Sequence, residues 1–210
     1  MPKRTLRRLL SDPAARGAFF MYGGAAFHFV YAAFRLLAGG LSGVAHLDTA
    51  ALFYLSLGTC RLFLIGAYRK SEERERVLRA LRRVGKLFFF TALLVLLRLA
   101  SVVADGGAYP TGALAVSGGY ALVSALLATL ELWFYRRLAS PVLSASRAVG
   151  LSAALLSAYT FLSDVLSAHP AVGERARLFL LLVLGAAIVF LHLFLALGFL
   201  TYGKRRRHIL

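Results

Sequence analysis

The chain has 210 residues, of which 60% are hydrophobic, and its mean hydropathy is +0.73. A soluble globule of this size cannot hide so much apolar surface from water, so the composition excludes an ordinary soluble domain and favours a membrane protein. The net charge of +16 would suggest a nucleic-acid partner in a soluble protein. Here the basic residues flank apolar runs and are interpreted as topology determinants, so nucleic-acid binding is not expected.

Six apolar runs are long enough to cross a bilayer as helices. The predicted spans cover residues 17–38, 49–68, 87–104, 113–135, 141–167 and 178–202. The first run is too long for a signal-peptide core and has no clear cleavage site, so it is expected to remain as a span. The predicted fold class is all-α: a polytopic membrane helix bundle of six transmembrane helices, forming a single membrane domain over residues 1–210.

Residues 69–86 form the most basic segment of the chain and connect the second and third spans. Its apolar residues recur at helical spacing, which predicts an amphipathic helix capped by Ser71 and ended by Gly85. These apolar residues are Val77, Leu78, Leu81 and Val84. Two Glu–Arg pairs at i,i+4 spacing support this helix: Glu72 with Arg76 and Glu75 with Arg79.

Most of the 25 Lys and Arg residues lie before the first span, in the connector, after the fourth span or after the sixth. The positive-inside rule places those segments in the cytoplasm, with Arg175 and Arg177 as exceptions in the last outer loop. The expected location is a bacterial plasma membrane, multi-pass, with both termini cytoplasmic. The expected partners are the lipid bilayer and anionic headgroups at the cytoplasmic face, with a membrane or cytoplasmic protein bound to the connector as an alternative.

Small residues recur every fourth position on the fourth and fifth helices, which predicts that these two helices pack closely. The stripes are Ser117, Ala121, Ala125 and Thr129, and Ser146, Gly150, Ala154 and Ala158. Ser140 before Pro141 predicts the N-cap of the fifth helix. Glycines at equal spacing in 17–24 and 112–119 are explained by coincidence in a glycine-rich chain, with an inverted repeat of three spans per half as the alternative.

Five ionisable residues within the spans form the candidate intramembrane polar site: Arg61, Arg98, Glu131, His28 and His192. A charged side chain in mid-membrane costs roughly 2.5–3.5 kcal/mol, so each needs a partner, an escape to the surface or a function. Arg61 and Glu131 are predicted to pair between the second and fourth helices, because their depths differ by only about 4 Å at ~1.5 Å rise per residue. The alternative is that each side chain extends separately to the nearby membrane surface. Arg35 and Asp164, near outer ends, are expected to reach the membrane surface.

The two histidines are interpreted as hydrogen-bonding links between helices, because neither has a second ligand one turn away. No metal site, cofactor or catalytic residue is predicted, and the single cysteine, Cys60, excludes an intrachain disulfide. Hydrolase and nucleotide-binding motifs are absent from the sequence, so an enzyme is not expected.

Three short stretches are similar to motifs of a group of bacterial integral membrane proteins without assigned function. Phe53-Tyr54-Leu55-Ser56 with Arg61 resembles one motif, Ser140-Pro141-Val142-Leu143-Ser144-Ala145 with Arg147 a second, and Tyr109-Pro110 a third. The resemblance covers most of residues 20–200, and it transfers no binding or catalytic residue.

Two functions are compatible with these features. The favoured hypothesis is a small permease or transporter subunit, since buried charge is costly to maintain without use. The alternative is a structural or accessory membrane protein that binds a partner through the connector and its small-residue faces. An intramembrane enzyme acting on lipid or peptide is a third, weaker hypothesis.

Overall fold

The computed structural model describes residues 13–43, 45–69, 72–104, 111–135, 140–168 and 173–205, and these residues form six helices without a strand. The helices are α1 (Pro13–Ser42), α2 (Ala45–Tyr68), α3 (Arg74–Ala104), α4 (Thr111–Tyr135), α5 (Pro141–Ala168) and α6 (Glu174–Arg205). Five of them, all except α3, are long and apolar enough along their described residues to cross a membrane. The all-α helical bundle predicted from the sequence is confirmed, and its long apolar helices support a location within a membrane.

The connector and the third span form one continuous helix, so the prediction that Gly85 ends the connector helix is wrong. Gly85 lies inside α3, where a Cβ atom would be 3.0 Å from the Ala196 carbonyl oxygen and 3.2 Å from the Phe199 Cβ. The glycine therefore allows α3 and α6 to approach closely. Within the connector, Arg76 pairs with Glu73 at i,i+3 spacing.

Helix α5 lies at the centre, because it contacts all five other helices. The most extensive contacts join α1 to α2, α3 to α6, α4 to α5 and α2 to α3. The predicted close packing of α4 and α5 is confirmed. The predicted stripe on α4 is not its packed face, because Ala125 and Thr129 are exposed.

The buried face of α4 instead carries several polar side chains and two tyrosines, and Ser117, Tyr120 and Glu131 have partners in the interior that lipid could not supply. This face comprises Ala113, Ser117, Tyr120, Ser124, Ala128, Glu131 and Tyr135. On α5, Ser146 and Gly150 are buried as expected, whereas Ala154 is half-buried and Ala158 is exposed.

The two ends of the bundle differ in charge, and we name them accordingly. At the basic end α1, α3 and α5 begin and α2, α4 and α6 end; the Tyr135 hydroxyl of α4 donates to the Arg16 carbonyl of α1 over 3.3 Å. At the far end, Gly43 (φ +69°) closes the α1–α2 turn by donating its N–H to the Gly39 carbonyl. The N-cap predicted at Ser140 is confirmed: its Oγ accepts the Leu143 N–H over 3.5 Å.

Several expectations fall on residues outside the described ranges. They concern the basic amino terminus before residue 13, the Ser71 cap, the linker residues 105–110, the Tyr109-Pro110 motif, the loop residues 169–172 and the basic residues after 205.

Replacing Gly85 by Val should lower the free energy of unfolding by about 1–3 kcal/mol, because the new side chain would press against the α6 backbone. Gly119→Val is the matched control, since a Cβ at Gly119 meets nothing within 4 Å. Thermal unfolding of both variants in the same detergent measures the difference. Equal stability of the two variants would contradict the α3–α6 packing.

Candidate functional site

A buried ion pair near the basic end joins Arg61 of α2 to Glu131 of α4. The distance from Arg61 Nη1 to Glu131 Oε1 is 2.7 Å, and the side chains are 2% and 1% exposed. The pair predicted from helix depth is therefore present. Helices α2 and α4 do not themselves pack together, so the Arg61 side chain bridges the space between them.

Two glycines make room for this pair. A Cβ on Gly24 of α1 would lie 2.6 Å from Arg61 Cζ, and one on Gly150 of α5 would lie 2.7 Å from Glu131 Oε2. Any larger residue would displace one of the two charged groups. Four helices thus meet at one point, two supplying the charges and two supplying the space.

Further hydrogen bonds surround the Arg61 guanidinium. Its Nη1 donates to the Phe20 carbonyl and to Ser146 Oγ, both over 3.3 Å, and its Nε lies 3.4 Å from His28 Nε2. Because arginine only donates, we assign His28 Nε2 as the acceptor and the ring proton to Nδ1. His28 Nδ1 then donates to the Tyr120 hydroxyl, 2.6 Å away. We call Arg61, Glu131, His28 and Ser146 the basic-end cluster.

A second charged group, the far-end cluster, consists of Asp164 on α5 with Arg35 on α1 and Arg98 on α3. Arg35 Nη2 lies 2.6 Å from Asp164 Oδ2, and Arg98 Nη2 lies 3.1 Å from Asp164 Oδ1. All three side chains are 0% exposed. The expectation that Arg35 and Asp164 reach the membrane surface is therefore wrong. Arg35 and Asp164 are paired and hydrogen-bonded inside the bundle, so neither side chain needs to extend to the membrane surface.

Hydroxyl groups complete the donors and acceptors around Arg35. Its Nε donates to the Tyr31 hydroxyl and its Nη2 to Ser117 Oγ, both over 2.9 Å. Ser117 in turn donates to the Ala113 carbonyl. Arg35 is thus held by groups from α1, α4 and α5.

A stack of three tyrosines lies between the two clusters. The Tyr31 and Tyr120 rings are parallel with centroids 3.6 Å apart, and Tyr54 packs edge-on to both at 4.7 and 4.8 Å. The Tyr54 hydroxyl is 3.0 Å from Thr160 Oγ1. On α5, Ser146 and Asp164 are 18 residues apart, or about 27 Å along the helix, whereas on α1 His28 and Arg35 are seven residues apart, or about 10 Å.

His192 lies apart from both clusters. Its Nδ1 donates to the Ile188 carbonyl over 2.8 Å, so its Nε2 accepts from Ser152 Oγ over 2.5 Å. These bonds link α6 to α5, as the interpretation of the histidines as links between helices requires. Among the described residues, no group of three potential metal ligands comes together.

The five candidate residues therefore do not form one site. Arg61, Glu131 and His28 meet at the basic end, and Arg98 belongs to the far-end cluster. Sequence reasoning did not identify Tyr31, Tyr54 and Tyr120, because an aromatic residue inside a span carries no signal that distinguishes core packing from a polar contact.

Reversing one charge of the Arg61–Glu131 pair should destabilise the protein by about 3–5 kcal/mol, since two like charges would then be buried together. Exchanging both in Arg61→Glu/Glu131→Arg should recover part of this loss. Recovery should be incomplete, because the space beside Gly24 is shaped for the arginine. Thermal unfolding in detergent measures all three variants. A double variant no more stable than the worse single one would disprove the pairing.

Asp164→Asn should destabilise the protein more than Arg98→Leu. Losing the carboxylate leaves two buried guanidinium groups facing each other, whereas losing Arg98 leaves the Arg35–Asp164 pair intact. The same unfolding assay ranks the two variants. The opposite order would show that Asp164 does not neutralise both arginines.

Comparison with known proteins adds no assignment. No protein-family model matches the chain, and no curated protein matches it. The resemblance to uncharacterised bacterial membrane proteins stays a prediction.

Proposed function

We propose that the protein is a small membrane permease whose two halves, α1–α3 and α4–α6, move against each other. One observation carries this proposal: each of the three buried ion pairs described above joins a helix of the first half to a helix of the second. Arg35 of α1 and Arg98 of α3 bind Asp164 of α5, and Arg61 of α2 binds Glu131 of α4.

The two clusters have the positions that gates require. One closes the interface near the basic end and the other closes it near the far end, with the tyrosine stack between them. Breaking one cluster while the other holds would open a path from one side only, which is the principle of alternating access. The structure then corresponds to the state with both gates closed.

The helix contacts support equivalence of the halves. The pair α1–α2 corresponds to α4–α5, and each helix of the first half contacts its counterpart three helices later. Replacing each helix by its counterpart turns the ion pair between α1 and α5 into the ion pair between α4 and α2. The charges are reversed, because α1 carries an arginine and α4 carries a glutamate. This relation favours the inverted-repeat hypothesis over chance spacing of glycines.

The proposal includes the expected setting of the permease. The basic end faces the cytoplasm of a bacterium, because Arg74, Arg76, Arg79 and further connector residues lie there and the positive-inside rule applies. The far end, with Arg175 and Arg177 at the start of α6, faces outward. Both termini are then cytoplasmic.

A static accessory protein is the second candidate, and the complete pairing of the charges favours it. Arg61 alone has contacts with Glu131, Ser146, His28 and the Phe20 carbonyl. Such a network can hold the protein in one conformation, and it can equally control the change between two conformations. The two functions differ in whether opening one cluster affects the other.

Cysteine accessibility tests this difference without knowledge of the substrate. In a Cys60→Ala background, Ser146→Cys reports on the basic-end cluster and Ser117→Cys on the far-end cluster, since both serines are buried. Each reporter is combined with Glu131→Gln or Asp164→Asn, and labelling by a membrane-impermeant thiol reagent is measured in vesicles of known orientation.

For a permease, Glu131→Gln should raise labelling at position 146 and lower it at position 117. Asp164→Asn should do the reverse, because opening one gate requires the other to stay closed. Gly119→Ala, at an open position on α4, is the control and should change neither rate. A static protein would show increased labelling only at the mutated cluster, with no decrease at the other.

A further inference from the structure

A basic groove lies on the surface between α2 and the first half of α3. It is lined by Leu62, Phe63, Gly66 and Ala67 of α2 and by Arg76, Arg79, Ala80 and Arg83 of α3, and its volume is about 280 Å³. The three arginines recur at three- and four-residue spacing, so they project from one face of α3. The groove is separate from both buried clusters.

The side chains of these arginines are held in place by their surroundings. The Arg83 guanidinium lies over the Phe63 ring, with Cζ 5.2 Å from its centroid. Arg76 is bound to Glu73 and Arg79 to the Glu75 carbonyl, in both cases through Nε. These bonds orient the Arg76 and Arg79 side chains.

The groove is amphipathic along its length. Its α2 wall contains Leu62, which is 49% exposed within a helix apolar enough to span the membrane. Its α3 wall carries the three arginines, where α3 leaves the basic end of the bundle. Gly66 widens the groove, since a Cβ there would meet nothing within 4 Å.

From this arrangement we infer that the groove binds the headgroup of an anionic phospholipid, with the phosphate between Arg79 and Arg83 and an acyl chain along Leu62. Guanidinium groups bind phosphate oxygens through paired N–H donors, and Arg79 and Arg83 complement the negative charge of the phosphate, whereas the charge of Arg76 is balanced by Glu73. The apolar wall continues from the phosphate site in the direction of the bilayer. This is a defined site and not only the general attraction of a basic segment to an anionic surface.

The test uses purified full-length protein in a neutral detergent, with short-chain phosphatidylglycerol as the probe. Phosphatidylcholine of the same chain length and inorganic phosphate are titrated in parallel, and bound probe is counted by native mass spectrometry. The groove variant is Arg79→Gln/Arg83→Gln. The control is Arg74→Gln/Arg82→Gln, which removes the same charge from exposed positions of α3 that do not line the groove.

Phosphatidylglycerol should bind one site, and the groove variant should lose about tenfold or more in affinity, equivalent to ~1.4 kcal/mol. The control variant should lose less than about threefold. Equal losses in the two variants would overturn the proposal in favour of general surface charge. Equal affinity for phosphatidylcholine would overturn the requirement for an anionic headgroup.

Inorganic phosphate distinguishes the source of the ligand. If phosphate binds as tightly as phosphatidylglycerol, the Leu62 wall contributes nothing and the lipid assignment is wrong. Leu62→Ser provides a second reading, since it should weaken phosphatidylglycerol binding and leave phosphate binding unchanged. None of these results depends on whether the two halves of the protein move.

Discussion

The pairing of buried charge is the constraint on which this bundle depends. Five charged side chains lie almost wholly out of reach of water or lipid headgroups: Arg35, Arg61, Arg98, Glu131 and Asp164. Each would oppose insertion by several kcal/mol if left alone in a bilayer, so each must have a partner inside the bundle. The ion pairs link α1 and α3 to α5, and the Arg61 side chain reaches from α2 to α4, although these two helices do not pack together. Helix α5 is central because it carries Asp164, Ser146 and Gly150, which serve both clusters.

Glycine and serine help the helices of this protein to associate. Lipid tails are as apolar as leucine, so helices associate through close approach and interhelical hydrogen bonds. Gly24 and Gly150 admit the Arg61–Glu131 pair, and Gly85 admits the α6 backbone. The exposed surface is correspondingly apolar, with Leu122, Phe190 and Phe194 among its most exposed side chains.

Much of this architecture follows from the sequence because apolar length and charge placement are local properties. The helical fold, the Ser140 cap and the Arg61–Glu131 pair are predictable from spacing, depth and the cost of burying charge. The far-end cluster was not, because the depth of Arg35 allowed both a surface and an interior position. Arg35 lies in the interior because α5 places Asp164 beside α1 and α3, and this placement depends on tertiary packing. Similarly, Gly85 was interpreted as a helix end, because glycine is common both at the ends of helices and at close contacts between helices.

The central claim is that the two clusters hold the halves together and open in alternation. Distances between spin labels measured by electron paramagnetic resonance, in a Cys60→Ala background, test it most directly. One pair of labels at the exposed positions Leu37 and Phe179 reports on the far end, and a second at Leu62 and Trp133 reports on the basic end.

Glu131→Gln should shift the basic-end distances to longer values and the far-end distances to shorter values, and Asp164→Asn should produce the opposite pattern. If the proteins stay folded and each variant changes the distance only at its mutated end, or at neither end, the account is contradicted and the ion pairs are fixed structural links.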